Sequence, residues 1–233
     1  FPILKKLNIK AFWFIYSSSL NPDKNNIELF RRFRYKKYKK FDRFFKDFLK
    51  FTENKKNINS FLKNNKKNIQ QFKKEYPFYS LNEIKFRFIR DRFLIKEDFH
   101  RIIQKMYRNK NFDFKKEIKN IFLSKKEIKN LSKNGQIIGL HSHSHPTKIS
   151  LLNKQDQYNE YMTNKKILEK IIKKKITVSS HPSGDYNIQT LRILKKIGIK
   201  LSFRSNIQID KKFNNSIYRN LIIPREDHIN LLK

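Results

Sequence analysis

Three of the chain's six histidines fall within five residues, in the run Gly139-Leu-His141-Ser-His143-Ser-His145-Pro146. A neutral imidazole offers one nitrogen lone pair to a cation such as zinc, while its other nitrogen carries a hydrogen that a neighbour can fix. The intervening serines add hydroxyls able to orient such rings. The run therefore reads as part of a metal site; the competing reading is a polar surface turn that happens to be rich in histidine. A second run, Ser179-Ser-His181-Pro182-Ser183-Gly184-Asp185-Tyr186-Asn187, combines a proline and a glycine. Those two residues hold a tight loop whose backbone N–H groups can point at an anion. Alone it is an ordinary strand-to-helix turn with a helix cap. Its weight comes from falling at the next strand after the histidine run.

The elements that must position these runs alternate from residue 124 to residue 206. Ser124-Lys-Lys-Glu127 is a capping box, and the helix it opens ends at Gly135. Ile137 to Leu140 is a short buried strand leading into the histidines. A helix follows, with Tyr158, Tyr161, Leu168 and Ile171 on or near one face. Ile176 to Val178 is the next strand. Asp185 or Asn187 caps a further helix bearing Leu191, Leu194 and Ile197, and Ile199 to Phe203 is a last strand. Helices alternating with short apolar strands imply an α/β fold with a parallel sheet or barrel, whose functional residues follow strand C-terminal ends.

A helix-to-strand unit also opens the chain, Pro2 to Lys10 running into Ala11 to Tyr16. It is nearly copied by Ile193 to Phe203. Gly198 stands where a helix C-terminus favours positive φ, and Asn8 takes that place in the first copy. Residues 22–123 follow a different grammar. They are basic and aromatic, and the spacing of Phe41, Phe44, Phe45 and Phe48 predicts an amphipathic helix, so the stretch reads as a mostly helical insertion. Residues 54–74 read as a polar connector or exposed helices.

Composition bounds function less than the motifs do. The 233 residues suffice for one sizeable core or a core plus an inserted lobe. The absence of cysteine excludes disulfides and thiolate metal sites. The apolar run from Ala11 to Tyr16 falls far short of the roughly 20 residues that span a bilayer. No leader peptide is evident, and the chain opens on Phe1 rather than methionine, so the sequence fixes no compartment. A formal charge of +35 invites a nucleic-acid or anionic-membrane reading. The crowding of Lys, Asn, Ile and Phe also matches the bias of an AT-rich coding sequence, which raises lysine wherever a surface tolerates it.

The two runs resemble motifs of the polysaccharide deacetylases with a NodB-type domain. His141-Ser-His-Ser-His145-Pro after a short apolar strand is similar to that family's second motif. His181 to Asn187, with the helix after it, resembles the third-motif region. Residues 1–20 resemble the helix and strand that follow the first motif, and Ile223-Pro-Arg225 resembles a terminal Pro-Arg segment. The resemblance implies a distorted (β/α) barrel core, here residues 1–21 and 124–233, lacking its first strand and interrupted by the insertion. It implies His141 and His145 as ligands of one divalent ion, zinc by preference, with His143 at the variable position between them. Pro182 and Ser183 become the substrate loop, with the Ser183 N–H as oxyanion donor. The implied reaction is hydrolysis of an N-acetyl or O-acetyl group on a glycan. Two departures stand out. The family's Asp-Asp pair, source of the catalytic base and a third ligand, is expected before Phe1, so the chain as given is expected to be inactive. No arginine precedes His181-Pro182, leaving His181, Arg225 and His228 as candidates for the remaining catalytic roles. Two other functions compete. One is a metal phosphoesterase of the PHP or amidohydrolase type; the other is a basic nucleic-acid-binding protein using Phe30 to Phe51.

Overall fold

The computed structural model describes residues 1–22, 27–53, 55–75, 79–146, 148–205, 207, 210, 213 and 216–226. The chain divides into two compact units, one formed by Phe1–Asn21 with Phe122–Lys233 and the other by Pro22–Ile121. The first unit opens with a short helix α1 (Pro2–Lys6) and strand β1 (Phe12–Ile15). Asn8 closes α1 in the left-handed region at φ 53°, and the Ile9 N–H returns to the Leu4 carbonyl at 2.8 Å.

All regular elements of the second unit are helical among its described residues. It comprises α2 (Ile27–Lys37), α3 (Phe41–Lys50), α4 (Lys55–Asn64), α5 (Lys66–Glu75), α6 (Leu81–Phe88), α7 (Lys96–Asn109) and α8 (Phe114–Ile121). A π-helical turn, Ile89–Phe93, extends α6. The phenylalanine stripe of α3 lies inside: Phe44, Phe45 and Phe48 are buried, and the Phe44 ring lies 5.2 Å from Phe86 and 5.7 Å from Phe30. These rings pack against one another, so they are not free to stack on bases. Glu117 binds Lys36 at 2.6 Å and Arg32 at 3.0 Å, and these bonds, that to Lys36 foremost, hold its carboxyl below the usual range.

The first unit resumes with α9 (Lys125–Lys133), β2 (Ile137–Leu140), α10 (Lys154–Ile172), β3 (Val178–Ser180), α11 (Ile188–Lys196) and β4 (Leu201–Phe203). The strands form a parallel sheet in the order β1-β2-β3-β4. Ser124 and Glu127 form the capping box of α9, and Asn187 rather than Asp185 caps α11. Gly135 and Gly198 close α9 and α11 at φ 77° and 84°. The Ile199 N–H reaches Leu194 O at 2.9 Å, matching the bond behind Asn8. The two near-copied segments thus share one C-terminal cap geometry.

β3 lies two residues later than the apolar pattern suggests. At Ile176 the backbone is held by side chains of α10 instead of a strand partner. Its N–H donates to Glu169 at 2.7 Å, and its carbonyl accepts from Lys165 Nζ at 3.1 Å. On the helix-covered side, Ile15, Ile138, Leu140, Tyr161, Leu168, Leu191 and Leu194 form the core. On the other side, Phe12, Phe14 and Phe203 cluster with centroids 5.1–5.9 Å apart. Gly139 is required there: a Cβ would sit 2.5 Å from the Phe14 ring.

Candidate metal centre

β2 delivers its chain directly into the histidine run. The His141 ring is partly buried, and its Nδ1 lies 2.9 Å from the Ser180 carbonyl. A carbonyl can only accept, so Nδ1 carries the hydrogen and Nε2 is left as a bare lone pair, the tautomer a metal ligand needs. Burial pushes His141 down to about 4, and the nearby charges of His145 and Arg225 act in the same direction. His145 comes back over the loop with its ring centroid 4.7 Å from that of His141. The sequence places these two residues four apart, and the fold brings their rings together. His143 is held away from this use of Nδ1 by a 2.8 Å bond to Ser17 Oγ, just after β1.

The loop's backbone is unusual. Ser142 and His145 both adopt the left-handed region, at φ 60° and 56°, which non-glycine residues rarely occupy. It is held from α10. Asn164, fully buried, accepts the His141 N–H at 3.0 Å and donates to the Ile15 carbonyl at 3.0 Å, so one amide joins the ends of β1 and β2. Glu160, one turn earlier, accepts from the His143 and Ser144 N–H groups at 2.9 and 2.8 Å and from the Ser144 hydroxyl at 2.6 Å. Sequence reasoning missed both residues. A signal existed for Asn164: with Gln157, Tyr161 and Leu168 it lies on the buried stripe of α10, where a polar residue calls for a partner.

The second loop leaves β3 at His181, which is buried. Its Nε2 lies 2.7 Å from the Leu221 carbonyl and 3.2 Å from Ser202 Oγ, and its ring lies 4.5 Å from that of Tyr186. Nε2 therefore carries the hydrogen. Nδ1 is buried and has no hydrogen-bond partner among the described residues. Burial pushes His181 to about 4. Pro182 is buried, and the exposed Ser183 turns at φ 54° before Gly184 at 70°. A Cβ on Gly184 would meet Ser205 Oγ at 2.1 Å. Asp185 is engaged elsewhere, accepting the Ser150 N–H at 2.8 Å. Arg225 is exposed and follows Ile223, which bridges β4 in parallel, and its charge reaches His141. His228 lies outside the described residues.

As a donor set, the site offers two imidazoles, of which His141 is fixed in the tautomer a metal ligand needs. Among the described residues no group of three or more His, Asp or Glu side chains converges to hold an ion. A catalytic zinc site ordinarily has three protein ligands and an open position. The residues fit such an ion as two of its ligands.

Residues 93–202, a little under half of the chain, match the family model described as polysaccharide deacetylase. The match contains both loops, strands β2 and β3 and the first two residues of β4, and it begins within the helical unit. The segments at residues 1–20 and 223–225 lie outside it. Solved structures similar to the chain include a deacetylase from Streptococcus pyogenes in complex with acetate. It is 25% identical over 46% of this chain and 45% of that one, with a TM-score of 0.40. A polysaccharide deacetylase from Bacillus cereus is 21% identical over 45% and 32%, with a TM-score of 0.38. A CE4-family pseudoenzyme from Bacillus anthracis is 17% identical over 36% and 29%, with a TM-score of 0.33. The chain thus spans less than half the length of each. No curated protein sequence matches the chain significantly. No helix among the described residues is long and apolar enough to cross a membrane.

Proposed function

We propose that this protein takes part in metal-dependent removal of N-acetyl or O-acetyl groups from a glycan. The observation that carries this reading is the His141–His145 pair at the end of β2, 4.7 Å apart and inside the deacetylase match. The two imidazoles would hold a divalent ion, zinc by preference, and when bound that ion supplies Lewis-acid polarisation of the acetyl carbonyl and acidifies a water. Ser183, in its left-handed turn, would present its N–H to the oxyanion that develops on the acetyl oxygen. His181, fixed by Leu221 and Ser202, would hold that loop in register with β4. Arg225 would bring positive charge to the same end of the sheet. The strands, parallel and in consecutive order, fit an arc of the distorted barrel of NodB-type deacetylases, with the helical unit as an insertion.

A carboxylate base is also needed, and none of the described residues joins the histidine pair to supply it. The chain by itself is therefore expected to release acetate slowly. The test is acetate release from an N-acetylated oligosaccharide with added zinc or cobalt. It compares the chain with a version extended at its N-terminus by a strand ending in Asp-Asp. The extended protein should be faster by the ~10²- to 10⁴-fold that a general base contributes. Comparable turnover by both would mean that the base lies elsewhere in this chain. No metal-dependent release by either would contradict the reading.

A further inference from the structure

We infer that Glu160 is a positioning residue for the His141–His145 pair, setting the loop geometry that gives the pair its affinity for an ion. This inference rests on the metal reading above. The loop from His141 to Pro146 lies outside the sheet, so its amides need partners other than a strand. The Asn164 side chain takes the amide at the loop's start, and the Glu160 carboxylate takes the two amides at its middle together with the Ser144 hydroxyl. The two residues lie one turn apart on α10, so a single rigid face grips the loop at both places. Between them Ser142 is forced to φ 60°, and its hydroxyl accepts the His145 N–H at 3.1 Å while His145 turns at φ 56°. Those two left-handed residues fold the His145 ring back onto His141. Without the carboxylate, the amides of His143 and Ser144 lose their acceptor, and extended backbone, which non-glycine residues prefer, becomes available to residues 142–145. Glu160 makes no hydrogen bond to either imidazole, so it acts through the loop's backbone and the Ser144 hydroxyl.

Zinc affinity measured by competition with a chromophoric chelator on the full chain, with the absorption of bound cobalt as a second readout, tests the inference. E160A should weaken zinc binding by about 10- to 100-fold, the usual effect of removing a residue that orients metal ligands. E160Q can still accept both amides through its carbonyl oxygen and donate to the Ser144 hydroxyl. It should therefore bind within about threefold of the parent and keep its cobalt spectrum. Parent-like affinity in E160A would overturn the inference. So would an E160Q as weak as E160A, because the charge and not the loop geometry would then be responsible. Amide hydrogen exchange on the unsubstituted protein supplies a readout that needs neither variant folding nor metal. The His143 and Ser144 amides should be protected as strongly as the body of α10, and rapid exchange there would overturn the proposal. If the parent takes up no zinc while those amides are protected, the metal reading fails and the loop-holding role stands.

Discussion

Asn164 offers the sharpest test of how the two strand ends are joined. Its side chain is fully buried and makes two bonds of 3.0 Å, from the His141 N–H and to the Ile15 carbonyl. Asn164→Ala removes both at once and leaves two backbone groups to be satisfied some other way. Each such group, stranded without a partner, costs about 1–3 kcal/mol. The expected destabilisation of the strand-bearing unit is about 2–6 kcal/mol for the two groups together. Asn164→Leu fills the space but supplies no polar atom, so it should lose a similar amount and separate hydrogen bonding from volume. Trp13 is the only tryptophan in the chain and lies on β1, where its indole N–H donates to Gln136 at 3.0 Å. Its fluorescence therefore reports on this unit. With an unfolding slope of roughly 2 kcal/mol per M urea, the midpoint should fall by about 1–3 M in both variants. A shift below about 0.3 M in both would show that the amide is not what holds β1 and β2 together at their ends.

Two further predictions use the same fluorescence. Gly139→Ala should destabilise the unit by about 1–3 kcal/mol, because its Cβ would lie 2.5 Å from the Phe14 ring. Adding Phe14→Ala should recover part of that loss, and strict additivity would contradict the contact. The pH dependence follows from His141 and His181, each held by burial at about 4 against 6.5 when unfolded. Between those values the unfolded chain binds more protons than the folded one. The contribution is complete above pH 6.5 and is lost as pH falls toward 4. Urea midpoints should drop across that window, and His181→Phe should flatten the drop; an unchanged slope would contradict the assignment to His181.

Much of the fold was legible because local rules and tertiary structure agree. The Ser124–Glu127 box, the glycine and asparagine caps, and the phenylalanine spacing of α3 each have a local physical cause, and each is present. β3 was misplaced by two residues because Ile176 is apolar like a strand residue. Its backbone is nonetheless bound by Lys165 and Glu169, seven or more residues away, which no periodicity reveals. The histidine run was legible as a cluster at a strand end. Its supports were not, since Glu160 sits on the polar part of a helix pattern and its bonds go to backbone. Nor could spacing alone distinguish His143, whose engagement with Ser17 depends on β1 lying beside β2.

The central claim is that His141 and His145 share one divalent ion and His143 does not. Zinc content after equilibrium dialysis, measured on the parent and on His141→Ala, His143→Ala and His145→Ala, tests it most directly. Zinc should be retained by the parent and by His143→Ala and lost from the other two. Equal loss from all three variants, or no zinc bound by the parent, would contradict it.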